Sequence, residues 1–348
     1  MSKQKETDPM ASSPDPILEI RDLSVKFEMD RGTSRVIDHV DLDINRGEIL
    51  GIVGESGSGK SMLASSLLDA VVEPGVTTGT VTYQSSDGDS IDVLNLSEEE
   101  LREFRWEQIS MVFQGALSSF NPTMPMREHF EETLEAHGYA VDSGMERAAE
   151  VLNDLYLDPD RVLDSYPHEL SGGMKQRALI ALALVLEPEV LVMDEPTAAL
   201  DLLMQRSIVS LLSEIRDKYN LTMVFITHDL PLVTKLADRV GVLYAFELVE
   251  LADTESILRQ PAHPYTRALL NATPNLDAPL EEMRPIEGSA PDPVNVPAGC
   301  SYHERCPLAT SECERDPPPL EPIDDTQEVA CHHWQRADEI PLTTEMDQ

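Results

Sequence analysis

The chain has no hydrophobic run long enough to cross a membrane. Its longest uninterrupted apolar stretch, Ala178 to Leu186, is far shorter than the ~20 residues that a transmembrane helix needs. The stretch from Met1 to Pro16 also lacks the basic and then apolar segments of a secretory signal. We therefore expect a soluble cytoplasmic protein that reaches the cytoplasmic face of a membrane only through other subunits.

Positive charge is also scarce. The chain has 26 Lys and Arg residues against 64 Asp and Glu residues, a formal net charge of −38. Such a polyanion lacks the clustered basic side chains that attract nucleic-acid phosphates, so we expect no nucleic-acid partner. Because the acidic residues are spread over the whole length, they predict a solvated surface whose self-repulsion is screened by salt, as in a halophilic protein.

The length of 348 residues and a hydrophobic content of 41% predict two or three folded domains. Residues 1–15 are polar, and we expect them to be disordered. Residues 16–258 are expected to form the main domain. Residues 259–348, where prolines accumulate and all the cysteines lie, are expected to form a C-terminal domain.

The main domain reads as an α/β fold. From Ile17 onward, short apolar strands alternate with helical stretches, which is typical of a mostly parallel sheet covered on both faces. No strand pattern occurs in residues 125–170, which predicts a helical insertion over about residues 115–172. The clearest buried strands are expected at Ile49–Val53, Val190–Met193, Met223–Ile226 and Val240–Tyr244.

A glycine-rich motif follows the first of these strands and precedes a helix expected over Ser61–Ala70. The motif matches the phosphate-binding loop pattern and consists of Gly54, Glu55, Ser56, Gly57, Ser58, Gly59, Lys60 and Ser61. Its glycines allow backbone N–H groups to surround phosphate oxygens at the start of a helix. Lys60 is suited to bind the β- and γ-phosphates, and the Ser61 hydroxyl is suited to bind Mg²⁺.

The strand that ends at Asp194 supplies acidic groups for the same chemistry. A carboxylate at the end of a buried strand can bind Mg²⁺, directly or through water. We expect Asp194 to have this role. The adjacent Glu195 is suited to orient or deprotonate an attacking water molecule. The loop and this strand together predict a nucleotide-hydrolysing site.

Further motifs make the chain resemble the ATPases of ABC transporters. Leu170–Arg177 resembles the signature sequence of that family and lies just upstream of the Asp194 strand. Gln114 resembles the glutamine of the Q-loop, His228 the switch histidine and Asp201 the D-loop aspartate. The motifs occur in the family's order over roughly residues 17–250.

The resemblance implies a P-loop NTPase fold with a RecA-like core, an antiparallel β-subdomain and a helical subdomain. It implies that two such cassettes sandwich ATP, with Ser171, Gly172 and Gly173 of one cassette contacting ATP on the other. It also assigns Glu195, His228 and Gln114 to catalysis, and Ser61, Gln114 and Asp194 to Mg²⁺. Met62 and Asp201 complete the expected nucleotide-binding set, while Phe27 is either an adenine-stacking aromatic or a core residue.

Other stretches resemble the oligopeptide/dipeptide importers within that family. They are Ser118–Pro122 after the Q-loop, His263–Leu270, and the cysteine-containing stretch that begins at Cys300. One departure is Gly115-Ala116, where many members carry Asp-Pro. This departure lies in a region that helps contact the membrane subunits of the family.

The cysteines, all in the C-terminal region, indicate a metal site because cytosolic proteins seldom keep disulfides. They are Cys300, Cys306, Cys313 and Cys331. Their spacing differs from the paired two-residue gaps usual for zinc. Four thiolates suit a [4Fe–4S] cluster, to which the resemblance also points. Zinc, and thiols that bind nothing or form disulfides, remain alternatives.

The resemblance implies an ATP- and Mg²⁺-dependent subunit that drives peptide import. Its expected partners are two membrane permease subunits, a second homologous ATPase in a heterodimer and, indirectly, an extracellular solute-binding protein. Import of nickel or sugars is the alternative within the family. A soluble ABC ATPase that acts on DNA or the ribosome is the alternative outside transport, and the negative charge argues against it.

Overall fold

The computed structural model describes residues 15–115, 119–198, 200–272 and 286–342. The expected disorder of residues 1–15 therefore concerns a segment that, apart from Asp15, lies outside the described residues, as does Ser118 of the peptide-importer motif. Within the described ranges, no helix combines the length and the apolar composition that crossing a bilayer requires.

The strands in chain order are β1 (Pro16–Met29), β2 (Gly32–Asn45), β3 (Ile49–Val53), β4 (Gly75–Gln84), β5 (Ser90–Asp92), β6 (Ile109–Val112), β7 (Val190–Asp194), β8 (Thr222–Ile226), β9 (Arg239–Tyr244), β10 (Glu247–Asp253), β11 (Glu321–Pro322) and β12 (Gln327–Val329). The α-helices are α1 (Lys60–Ser66), α2 (Glu98–Glu107), α3 (Met126–Ala136), α4 (Val141–Asp154), α5 (Pro159–Leu163), α6 (Gly172–Leu184), α7 (Leu202–Tyr219), α8 (Leu230–Val233), α9 (Thr254–Arg259) and α10 (Pro264–Ala272).

These strands form two sheets. An antiparallel sheet has the order β2-β1-β4-β5, and an eight-stranded sheet has the order β11-β12-β10-β9-β3-β8-β7-β6. The run from β9 to β6 is parallel, whereas β10, β12 and β11 extend it with antiparallel pairs. The predicted strands β3, β7, β8 and β9 are confirmed, and they lie side by side in the parallel part.

The parallel strands are buried on both faces, as the apolar runs predicted. Ile49 and Val53 of β3 belong to one core cluster, whereas Leu50 and Ile52 belong to the other. Successive side chains of a strand point to opposite faces, so each short strand contributes to both cores. This burial fixes the carboxyl ends of the strands at one edge of the sheet.

The expectation of alternating strands and helices from Ile17 is wrong for the first part of the chain. There, β1 and β2 form a long antiparallel pair, and in the described part of the chain, from residue 15 onward, no helix begins before Lys60. Several register shifts interrupt the pairing of β1 with β2. Such bulges break the two-residue alternation that identifies an antiparallel strand in a sequence.

The helix after the glycine-rich motif is shorter than predicted, since α1 ends at Ser66 rather than Ala70. Arg105, in α2, donates from its guanidinium to the backbone oxygens of Leu68 and Asp69, where the chain turns. Asp69 itself has a left-handed backbone, with φ of 47°. The turn after the helix is therefore held by a side chain that is distant in sequence.

The predicted helical insertion has the expected content. Residues 125–170 are all described, and their α-helices are α3, α4 and α5, with no strand among them. Beyond residue 259, β12 pairs with β10, so the C-terminal segment continues the main sheet. The exact domain boundaries stay predictions.

Candidate functional site

The glycine-rich loop connects β3 to α1, and two of its glycines have no room for a side chain. A Cβ on Gly54 would come within 2.2 Å of the Leu243 carbonyl oxygen, and one on Gly59 within 2.4 Å of the Val36 carbonyl oxygen. Both glycines also have positive φ, 156° and 106°. Glycine is therefore required at both positions by the close packing against β9 and β2 as well as by the backbone conformation.

Lys60 folds back along this loop. Its Nζ donates to the carbonyl oxygens of Gly54 and Glu55, both at 2.9 Å. Burial lowers the pKa of Lys60, and the charges of Glu195, Asp194 and Glu55 oppose the shift. The ammonium group is thus held at a fixed place where acidic groups favour its charged form.

Asp194 at the end of β7 is a buried acid with an unsatisfied oxygen. The residue is 3% exposed, and its Oδ1 has no hydrogen-bond partner among the described residues. Burial raises the pKa of this carboxyl, an effect that the nearby Ser61 hydroxyl partly offsets. A buried carboxylate oxygen beside a hydroxyl suits Mg²⁺, which prefers oxygen ligands. Asp194 and Ser61 therefore fit the metal ion that the motif predicts.

Glu195 and His228 are in direct contact. The distance from His228 Nδ1 to Glu195 Oε1 is 2.8 Å. The Glu195 side chain is 9% exposed and that of His228 is 65% exposed, so the acid is sheltered and the histidine reaches the solvent side. Glu195 also has a left-handed backbone, with φ of 49°, and its N–H donates to the Ile226 carbonyl oxygen of β8. This pairing of β7 with β8 directs the carboxylate towards the histidine.

A cavity of about 520 Å³ joins these groups. Of the predicted site residues, those that line it are Ser56, Gly57, Gly59, Lys60, Ser61, Met62, Gln114, Glu195 and His228. Gly54, Glu55, Ser58 and Asp194 belong to the same loop and strand end but do not line the cavity. The geometry thus brings together residues from the loop, the end of β6, the end of β7 and the end of β8.

Two lining residues were missed by sequence reasoning. Val36 comes from β2, and Phe246 from the turn between β9 and β10. The N–H of Phe246 donates to the Ser58 carbonyl oxygen of the loop. No local motif marks either residue, because their position depends on how the two sheets meet. Phe27, expected to be either an adenine-stacking or a core aromatic, does not line this cavity and packs against the core cluster that contains Leu50 and Ile52.

The predicted signature residues lie outside this cavity. Ser171 precedes α6, and its hydroxyl accepts a hydrogen bond from the Met174 N–H at 3.3 Å. Gly172 and Gly173 form the first turn of α6, where a Cβ on Gly173 would come within 1.8 Å of Met204 Cε. Asp201 caps α7 through the N–H groups of Leu203 and Met204. The helix starts of α6 and α7 therefore lie together at another part of the surface.

The four cysteines are free thiols that line one small cavity together with His263, His303, His332 and His333. Burial raises the pKa of Cys300 to about 11 and that of Cys331 to about 12, and neighbouring cysteines add to both shifts. No group of three or more His, Cys, Asp or Glu in the described ranges is arranged to hold one metal ion. In this arrangement the thiols do not form a metal site, and the cavity that they line has a volume of only about 10 Å³.

Two family models match the chain. The model described as "ABC transporter" matches residues 37–198, which include the loop, Gln114, the signature and Glu195. The model described as "Oligopeptide/dipeptide transporter, C-terminal region" matches residues 249–313, which include three of the cysteines.

Curated relatives align over nearly the whole chain. The dipeptide transport ATP-binding protein DppD of Caldanaerobacter subterraneus is 42% identical, over 92% of this chain and 97% of that protein. The oligopeptide transport ATP-binding protein OppD of Escherichia coli is 39% identical, over 87% of this chain and 89% of that protein.

Solved structures share the fold. A dimeric ABC transporter cassette, MJ0796, has 27% identity and a TM-score of 0.59, and the match covers 68% of this chain and 98% of that chain. The same cassette in a post-hydrolysis state bound to ADP and phosphate matches equally well. These matches confirm the expected fold class. The chain belongs to the family of ABC transporter ATP-binding subunits, in the oligopeptide/dipeptide branch of that family.

Proposed function

We propose that the 520 Å³ cavity binds Mg²⁺-ATP and hydrolyses it, with Glu195 as the general base. The observation that carries the proposal is the sheltered Glu195 held 2.8 Å from His228 beside the phosphate loop. A carboxylate in this position can accept a proton from water at the γ-phosphate, and the histidine can hold that phosphate. Mg²⁺ would supply neutralisation of phosphate charge, with Ser61, Asp194 and Gln114 as the residues that hold it.

The hydrolytic site is completed by a second cassette in this proposal. Ser171, Gly172 and Gly173 lie away from the chain's own cavity, and Ser171 at the start of α6 is exposed, which supports contact with ATP bound on a partner. Leu202 and Leu203, next to this surface, are 52% and 76% exposed, which is typical of an interface. Loss of the γ-phosphate on hydrolysis would remove contacts that bridge the two cassettes and let them separate.

The transported solute is proposed from the relatives. Their names refer to dipeptide and oligopeptide transport, and the C-terminal family model refers to the same solutes. We therefore propose that the chain drives peptide import at the cytoplasmic face of the membrane. Its proposed partners are two permease subunits, a related ATPase in a heterodimer and, through the permeases, an extracellular solute-binding protein.

Reconstitution of the chain with its permeases and solute-binding protein in liposomes tests this function. Uptake of labelled peptide that requires Mg²⁺-ATP is the expected result. Uptake of nickel or of a sugar under the same conditions would show that the transported solute is that compound and not a peptide. ATP hydrolysis that copurifies with RNA and responds to no permease would overturn the importer assignment.

We propose, separately, that the four cysteines hold a structural [4Fe–4S] cluster. Support comes from four thiols that line one cavity, each of which could bind a different iron atom. Anaerobically purified protein should contain iron and sulfide and absorb in the visible charge-transfer region, and Cys313→Ser should reduce both signals. Stoichiometric zinc, or thiols without iron, would contradict this proposal.

The charge leads to a third proposal, that the fold requires high salt. A net charge of −38 repels itself strongly until the Debye length shrinks to about 3 Å near 1 M salt. The melting temperature should therefore rise steeply between about 0.1 M and about 1 M salt. A constant melting temperature over that range would refute the halophilic interpretation.

A further inference from the structure

A guanidinium from the C-terminal segment reaches the phosphate loop. Arg305, which lies between Cys300 and Cys306 in the sequence, donates from Nη1 to Glu55 Oε2 at 2.8 Å and from Nη2 to Glu55 Oε1 at 3.0 Å. Two parallel hydrogen bonds of this kind fix both partners in orientation as well as distance. The contact joins parts of the chain that are 250 residues apart.

Arg305 is held in place by other groups as well. Its side chain is 7% exposed, its Nε donates to the Glu287 carbonyl oxygen at 2.7 Å, and Nη1 also donates to the Tyr244 hydroxyl at 3.2 Å. The guanidinium lies over the rings of Tyr244 and Tyr302, at 5.6 and 5.8 Å from their centroids. A side chain fixed on so many sides loses little further freedom when it binds Glu55.

Glu55 in turn is connected to Lys60, the lysine expected to bind the phosphates. Its backbone N–H donates to the Tyr265 hydroxyl of α10 at 2.9 Å, and its carbonyl oxygen accepts from Lys60 Nζ at 2.9 Å. The residue is therefore held at its side chain and at both ends of its backbone. A shift of Glu55 would change the position of the Lys60 ammonium group.

Glu55 is also the acidic residue of the loop, next to the place where a triphosphate would bind. An uncompensated carboxylate there would repel ATP, and the rest of this polyanionic chain would not offset it. The paired guanidinium cancels that charge locally.

We propose that Arg305 is a positioning residue of the ATP site, which holds Glu55 in place and neutralises it, so that the C-terminal segment supports nucleotide binding. This inference rests on the proposed binding of ATP in the 520 Å³ cavity. It predicts an effect on ATP affinity rather than on the chemical step, because Arg305 touches the loop and not the reacting groups.

Equilibrium binding of Mg²⁺-ATP and steady-state hydrolysis by the full-length chain test the inference. Arg305→Ala should raise the Kd and the KM for ATP about tenfold, because it leaves a carboxylate unpaired beside the phosphates, and should leave kcat within about twofold. Arg305→Lys keeps the positive charge but loses the paired hydrogen bonds of the guanidinium. Its Kd should lie between those of the wild type and Arg305→Ala. Arg315→Ala, an exposed change in the same segment, is the control and should match the wild type.

A double variant separates charge from mere structural support. Adding Glu55→Gln to Arg305→Ala should recover most of the lost ATP affinity, since the repelling charge is gone. Wild-type affinity in a folded Arg305→Ala, or no recovery in the double variant, overturns the inference while the wild type still binds ATP. If Arg305→Ala does not fold, the ATP affinities of Arg305→Lys and Glu55→Gln are compared with that of the wild type. The inference then fails if Arg305→Lys keeps the wild-type Kd. Failure of the wild type to bind ATP would overturn the proposed function itself.

Discussion

Two buried carboxylates in this molecule differ in how the chain satisfies them. Glu250 in β10 is fully buried, and its oxygens accept hydrogen bonds from the N–H groups of Ala262 and His263 and from Gln327 Nε2. Asp194 is almost as buried, yet its Oδ1 has no partner among the described residues. Burial raises the pKa of both acids.

The difference is the one expected between a structural acid and an acid with the proposed metal-binding role. Burying an acid is unfavourable in both places, but only at Glu250 does the chain itself supply the compensating donors. Those donors come from the start of the C-terminal segment and from β12, so Glu250 anchors that segment to the main sheet. At Asp194 the described residues supply no donor to Oδ1, which supports the proposed metal-binding role.

The largest expected effect lies beside Asp194, at Glu195. Glu195→Gln removes the proton acceptor while leaving the shape of the cavity, so turnover should fall about 10²- to 10⁴-fold. ATP should still bind, which a titration with a fluorescent analogue can measure alongside phosphate release. Wild-type turnover in this variant would remove Glu195 from its assigned role.

Glu250→Ala should have the largest effect on stability. It leaves several buried donors unpaired, so the free energy of unfolding in urea should fall by about 3 kcal/mol. Glu250→Gln keeps an acceptor oxygen and serves as the matched control, with a smaller loss. Equal stability of Glu250→Ala and the wild type would show that Glu250 is not an anchor.

His263, next to Glu250, predicts a dependence of stability on pH. Burial lowers its pKa to about 3, so the unfolded state takes up a proton near pH 6.5 while the folded state does not. Because the unfolded chain then binds more protons than the folded chain, the free energy of unfolding should fall by about 1 kcal/mol as the pH drops from about 7 to about 5.5.

The raised pKa of Glu250 acts in the opposite direction, since the folded state there keeps a proton that the unfolded state loses as the pH rises. The contribution of His263 is therefore obtained by subtracting the free energy of unfolding of His263→Asn from that of the wild type at each pH. Asn can still accept the hydrogen bond that the Tyr265 N–H donates to His263 Nδ1. Identical pH profiles for the two proteins would contradict this account of His263.

The smallest change is expected for the stability of Asp194→Asn without nucleotide. Removing a buried and unsatisfied charge should leave the free energy of unfolding unchanged or raise it by about 1 kcal/mol or less. Urea unfolding of the full chain measures this. A clear loss of stability would place Asp194 with Glu250 as a structural acid and would remove the distinction drawn above.

The sequence predicted the parts of the site that are local. The buried strands β3, β7 and β8 follow from apolar runs, and the residues after them form the predicted motifs, because the carboxyl ends of parallel strands meet at one edge. The contact between Glu195 and His228 follows from the pairing of β7 with β8.

The contributions from distant segments could not be predicted. Val36 and Phe246 reach the cavity through the packing of the two sheets, and Arg105 of α2 holds the turn after α1. Arg305 meets Glu55 because the C-terminal segment packs back on the main sheet, where β12 pairs with β10 and Tyr302 contacts Tyr244. Each of these contacts depends on tertiary packing, for which a single sequence carries no periodic or local signal.

The dependence of ATP binding on Mg²⁺ tests the central claim most directly. Calorimetric titration with ATP, with and without Mg²⁺, should show that the metal tightens binding to the wild type and has much less effect on Asp194→Asn. An equal effect of Mg²⁺ on the two proteins would contradict the assignment of the unsatisfied Asp194 oxygen to the metal.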